Sequence, residues 1–174
     1  MDRLPRALPC LALLSGLILF SGACAAPGRG GPPPAAPDFA LKDVSGKIVR
    51  LADFRGKTVL VDFWAAWCDP CRDSIPSYEK LYERLRDKGL VVVGIDEDPQ
   101  TGVAEAFVNK FSVTYPILLD RENEAFDAYG VRTLPTAFLI DPQGNIRRKW
   151  TGFEAETKAD IEKVAPFEGS LPNR

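Results

Sequence analysis

Four cysteines and no histidine bound the chemistry open to this 174-residue chain. Without histidine the commonest general base and the commonest metal ligand are both missing. Ser-His-Asp and Cys-His catalysis and His-bearing zinc or copper sites are therefore excluded. Two of the cysteines stand three apart in the string Val61-Asp62-Phe63-Trp64-Ala65-Ala66-Trp67-Cys68-Asp69-Pro70-Cys71. An apolar, β-branched run followed by helix-compatible sequence puts that pair where a buried strand hands over to a helix. There the first cysteine meets unpaired N–H groups and the helix macrodipole, which stabilise a thiolate. The second, nearly one turn on, comes close enough to displace a mixed disulfide. The pattern suits thiol–disulfide exchange, with Cys68 attacking and Cys71 resolving. Half of a zinc site is the competing reading, but zinc wants a second Cys or His pair and the mature domain has none. No metal and no cofactor is expected.

Asp62 is the second residue that asks for a reason, because a carboxylate inside an apolar strand is costly. A partly hydrated structural Asp is the bland alternative. Asp69 and Asp73 read as solvated residues at a helix start, where negative charge suits the dipole. Asp69 also places negative charge beside Cys68, which opposes thiolate formation. Trp67 adjoins Cys68 as part of an apolar rim, with Trp64 packed beneath.

These residues need a frame to hold them. Residues 39–51 predict two short strands around an Asp43–Gly46 turn. Thr58–Trp64 predicts a buried central strand, followed by a helix over 70–87 that ends near Gly89. Leu90–Ile95 is a second buried strand, residues 101–111 a helix, 116–119 a further apolar run and 123–129 a short helix stopped at Gly130. Thr136–Ile140, a turn over 141–145 and Ile146–Thr151 make a hairpin, and 156–164 is a last helix. Alternating strands and helices that close on a hairpin indicate an α/β domain: a mixed central sheet with helices on both faces.

The N-terminal segment reads as an address. Arg3 and Arg6 precede a short apolar run to Phe20, and small residues follow through Ala26. This is an export signal over residues 1–23, its apolar run short for a transmembrane helix. Ser21-Gly22-Ala23-Cys24 resembles a bacterial lipobox, which makes Cys24 the lipidation site; ordinary secretion cleavage and an uncleaved anchor are the alternatives. Cys10 would then be discarded and Cys24 blocked, leaving Cys68 and Cys71 as the only thiols of the mature domain. Residues 24–37 form a Pro/Gly-rich tether, residues 38–167 the folded domain and 168–174 a polar tail. Without the signal, 20 basic residues face 23 acidic ones with no basic cluster, so no nucleic-acid surface is expected.

The string around Cys68 resembles the thioredoxin active site. Over about residues 37–165 the chain is similar to the TlpA/ResA-like branch of the thioredoxin superfamily, an AhpC/TSA-redoxin-like group. The resemblance implies a thioredoxin fold with an N-terminal β-hairpin and a central insertion over about 96–115. It implies an exported, membrane-anchored protein disulfide reductase of the cell envelope, on the periplasmic side. Cytochrome c maturation and apocytochrome c are the implied context and substrate, and a membrane electron donor of the DsbD/CcdA type the implied partner. Pro76 falls where the family kinks its active-site helix. Leu134-Pro135-Thr136 resembles the cis-proline loop that faces the cysteines and offers backbone to substrate. Asp62 falls where thioredoxins keep a buried Asp that handles the resolving cysteine's proton. Many members of the branch have Asn there, and some place a Glu where this chain has Ser74. Thr151-Gly152 resembles the end of the last strand, where room is left for substrate backbone. Trp67, Leu134 and Gly152 are thus implied as substrate contacts. A disulfide-forming oxidase and a non-catalytic thioredoxin-like binding domain are the alternatives. A peroxiredoxin is disfavoured by Ala65 and Val61, where that group wants Thr or Ser and Pro, and a copper-delivery module by the missing histidine.

Overall fold

The computed structural model describes residues 31–100 and 102–164. The signal over 1–23, Cys24, the first part of the tether and the tail over 168–174 lie outside the described residues. The elements run β1 (Ala40–Asp43), β2 (Ile48–Arg50), β3 (Thr58–Trp64), α1 (Cys71–Leu85), β4 (Leu90–Asp96), α2 (Val103–Phe111), β5 (Ile117–Leu119), α3 (Glu124–Ala128), β6 (Thr136–Ile140), β7 (Ile146–Thr151) and α4 (Ala155–Val164). The seven strands form one sheet in the order β2-β1-β5-β4-β3-β6-β7. β3, β4 and β5 are parallel neighbours, and β6 joins β3 antiparallel. β1 of the hairpin β1–β2 pairs antiparallel with β5, so this short strand bridges the hairpin to the centre.

Every residue of β3 and β4 is buried. Their continuous Val/Leu/Ile runs follow from cover on both faces, because alternate side chains point opposite ways and each needs an apolar neighbour. On one face Leu60 and Trp64 pack with α1 (Ile75, Tyr78, Leu81, Leu85), with Phe107 of α2 and with Ile161 of α4. On the other, Val59, Val61 and Phe63 pack with Phe126 of α3, Tyr129 and Phe138. The insertion between β4 and β5 carries α2, in the expected place.

One boundary differs from the sequence reading. Chain order begins before residue 38: Ala36 N–H donates to Gly144 O at 2.9 Å, Ile146 N–H to Pro34 O at 2.8 Å and the Tyr129 hydroxyl to Pro37 O at 2.8 Å. Prolines lack N–H groups but keep their carbonyls, so part of a Pro-rich segment is bonded to the domain, Pro34 and Pro37 accepting through their carbonyls and Ala36 donating its N–H. The active-site helix starts at Cys71, one residue from the expected start at 70. The preceding turns use i to i−3 bonds, Cys68 N–H to Ala65 O and Cys71 N–H to Cys68 O, both at 3.1 Å. Cys68 therefore sits in the tight turn that feeds the helix.

Candidate functional site

Cys68 and Cys71 are joined by a disulfide with Cα atoms 5.3 Å apart. Cys68 keeps 4% exposure and Cys71 none, while Trp67 beside them is 63% exposed, the most exposed large apolar residue among those described. Cys71 is thus fully covered, while Cys68 is buried but for a trace of exposure toward the groove. Ser74, one turn into α1, donates its hydroxyl to Cys71 O at 3.2 Å. Asp69 is exposed, as expected, but Arg72 lies 3.3 Å from its carboxylate. That cation partly offsets the charge beside Cys68, although an exposed i,i+3 pair is weak.

A groove of about 580 Å³ opens at the cysteine turn. Trp67, Cys68, Asp69 and Pro70 form one wall, Glu97 contributes from beyond β4, and Phe126, Val131, Arg132, Thr133 and Leu134 form the other. The Leu134–Pro135 peptide bond is cis, and this loop carries Leu134 to the groove. Gly152 N–H donates to Pro135 O at 2.8 Å, which ties the end of β7 to the same loop. Gly152 has φ +79°, and a Cβ there would meet nothing within 4 Å. Its glycine answers to backbone conformation; close approach by neighbouring atoms does not require it.

Asp62 is fully buried. It shares its face of β3 with Leu60 and Trp64, the side on which Cys71 also packs. Its strand neighbours are Gly94 on β4 and Ala137 on β6, the smallest residues available on either flank. A Cβ on Gly94 would lie 2.6 Å from Ile117 Cδ1, 3.0 Å from Trp64 Nε1 and 3.4 Å from Tyr115. Glycine therefore leaves this space to side chains from elsewhere. Neither Asp62 oxygen has a hydrogen-bond partner among the described residues, and the same is true of Trp64 Nε1 and the Tyr115 hydroxyl. Burial pushes the Asp62 carboxyl well above the usual carboxylate range. Tyr78 and Tyr115 are pushed well up by burial and then by the nearby Asp62 charge.

The structure thus brings Cys68, Trp67 and Leu134 to one groove, keeps Cys71 buried behind Cys68 and puts Pro135 in the loop that carries Leu134. It sets Asp62 on the face of β3 against which Cys71 packs, while Gly152 does not line the groove. Three polar contributors have no signal in the sequence. Glu97 and Arg132 reach the groove from separate connections, and Asp98 accepts the Ala66 N–H at 2.7 Å across 32 positions. Among the described residues no group of three or more Cys, Asp or Glu is arranged to hold a metal ion. No described helix is long and apolar enough to cross a membrane.

Comparison with known proteins agrees with this geometry. The model of the AhpC/TSA family matches residues 34–149. The thiol-disulfide oxidoreductase ResA of Geobacillus thermodenitrificans is 40% identical over 129 residues, 74% of this chain and 72% of that protein. ResA of Bacillus subtilis is 34% identical over 122 residues, 70% of this chain and 68% of the relative. Among solved structures, a thiol:disulfide interchange protein of the thioredoxin family from Chlorobium tepidum superposes with a TM-score of 0.72 at 28% identity, covering 82% of this chain and all of that one. The thioredoxin domain of a thiol-disulfide oxidoreductase from Bacteroides vulgatus gives 0.69 at 28% identity, covering 79% and 99%.

Proposed function

The chain belongs to the AhpC/TSA family, has the thioredoxin fold and is a thiol–disulfide oxidoreductase; from that premise we propose that it reduces protein disulfides at the cell envelope through a Cys68/Cys71 dithiol. The observation that supports this reading is the asymmetric pair: one sulfur at a groove, the other covered, in bonding reach of each other. In the reduced protein the Cys68 thiolate attacks a substrate disulfide, forms a mixed disulfide and releases one substrate thiolate. Cys71 then attacks the Cys68 sulfur, closes the intramolecular disulfide and releases the second thiolate, so two electrons pass to the substrate. Asp62, with its raised proton affinity, takes the Cys71 proton as that thiol is activated. The cis-Pro135 loop, Leu134, Trp67 and Gly152 receive the extended substrate segment.

The same reading makes Cys24 the lipid anchor, apocytochrome c a candidate substrate and a membrane donor of the DsbD/CcdA type the source of electrons. Its support is the sequence pattern of the first 37 residues together with the family resemblance. Insulin reduction by the full chain tests the activity class, and a Cys71→Ser variant that retains substrates on Cys68 tests the order of attack. The Cys68–Cys71 potential should lie nearer about −270 mV than −120 mV, since no cation stands between the cysteines. A value more positive than about −180 mV would overturn the reductase reading in favour of an oxidase or isomerase. Mass spectrometry should find a diacylglycerol-modified N-terminus at Cys24; an unmodified one at Ala26 rules out the anchor.

A further inference from the structure

The segment that carries Cys68 out of β3 is gripped from the far side by two consecutive residues beyond β4. Glu97 N–H donates to Trp64 O at 3.2 Å, and Asp98 Oδ2 accepts the Ala66 N–H at 2.7 Å. Ala66 stands two residues before Cys68, and its carbonyl is met at 3.5 Å by the Arg72 guanidinium. Cys68 itself bonds back to Ala65. The turn is therefore held at Trp64 and Ala66 by groups from the connection after β4.

Asp98 is only 5% exposed. A buried carboxylate is an expensive acceptor for one amide when a backbone carbonyl would serve. What it adds is a short bond of fixed direction from a side chain that is itself held in place by burial. A second carboxyl stands behind it. Asp96 is fully buried at the end of β4, its Oδ2 lies 3.3 Å from Arg121 and its Oδ1 has no hydrogen-bond partner among the described residues. Burial first, then the neighbouring Asp98, push Asp96 up to about 8. Glu97 and Asp120 are the other acids nearby. Glu97 is pushed up by burial and by both Asp98 and Asp120, while Asp120 accepts the Phe126 N–H at 2.9 Å.

We propose that Asp98 is a positioning residue for the exchange pair: by holding the Ala66 N–H it keeps the turn bearing Cys68 in register with Cys71. The inference rests on the reading of Cys68 and Cys71 as the exchanging pair. Holding two reacting groups in place raises their effective concentration for each other. The held turn therefore favours ring closure to the Cys68–Cys71 disulfide, and a loosened one favours the open dithiol.

The test is the redox equilibrium of the full chain against dithiothreitol and glutathione buffers. Asp98→Ala should lower the equilibrium constant for disulfide closure about tenfold, a potential about 30 mV more positive. Asp98→Asn keeps an oxygen acceptor for Ala66 and should stay within about twofold of wild type. An Asp98→Ala variant within twofold of wild type overturns the inference and leaves the exchange reading intact. So does an Asp98→Asn variant shifted as far as the alanine one, because charge would then be the cause. A wild-type pair that never equilibrates with either buffer overturns both. Amide exchange of oxidised wild type needs no variant: Ala66 should be protected, and exchange at the free-chain rate would overturn the hold even if Asp98→Ala fails to fold.

Discussion

The two faces of β3 are built to different rules. On one face Phe63 sits among Phe126, Tyr129 and Phe138, with ring centroids 4.9, 5.1 and 5.8 Å away and mostly edge-on. On the other, one residue along, Asp62 lies fully buried with Trp64 Nε1 and the Tyr115 hydroxyl, none of them partnered among the described residues. Both faces are equally dry by exposure. The first spends its burial on stability, and the second gives some of it up on the side that packs against Cys71. The contrast indicates that the face packing against Cys71 carries unpartnered polar groups at some cost in stability, as functional positions commonly do.

The comparison can be broken most sharply at Phe63. Phe63→Ala should cost about 3–5 kcal/mol in urea denaturation, because a fully buried ring is lost from an interlocked aromatic group. Molecules that remain folded should keep their disulfide exchange rate. A loss below about 1 kcal/mol would mean that this face does not carry the fold.

Asp62→Asn should move in the opposite direction. A carboxyl whose folded pKa is raised favours the fold below its unfolded pKa, and that advantage is lost as pH rises through the folded pKa. The variant has no such titration. It should therefore be more stable than wild type by about 1–3 kcal/mol at pH 7–8, with the gap closing toward pH 4. It should also resolve mixed disulfides more slowly. Unchanged reduction rates across pH 6–8 would make Asp62 structural. Equal stability at every pH would show that its carboxyl is not desolvated.

The smallest expected effect is at Tyr115. Removing an unpartnered buried hydroxyl costs nothing in lost bonds, so Tyr115→Phe should match wild type or gain up to about 1 kcal/mol. Thermal denaturation resolves this, and a clear loss would mean that the hydroxyl has a partner of its own on the polar face.

Much of this was legible in the chain. The continuous apolar runs of β3 and β4, the Asp43–Gly46 and 141–145 turns and the stop at Gly89 mark their elements, because each depends on neighbours within a few residues. The CxxC after a buried strand and the lone Asp62 within it point to the site for the same reason. The helix start was legible too: the sequence places it at 70, and α1 begins at Cys71 after i to i−3 turns over 65–73. One local reading needed adjustment. Residues 34–37 bond to the domain because Gly144 and Ile146 come to meet them, which a Pro-rich composition does not foretell.

What sequence alone determined is therefore the kind of chemistry: two thiols three apart with no histidine, on a strand-to-helix junction, with a buried acid upstream. Tertiary structure decided what surrounds them. Sheet order places Gly94 and Ala137 beside Asp62, and so makes room for Tyr115 and Trp64 around a carboxylate. It also brings Glu97 and Asp98 against the segment before Cys68, and the cis-Pro135 loop into the chain that walls the groove. Strand propensity and helix period act over one or two turns of chain. Contacts across more than 30 residues depend on register, and register is settled only when every strand has buried its apolar face together.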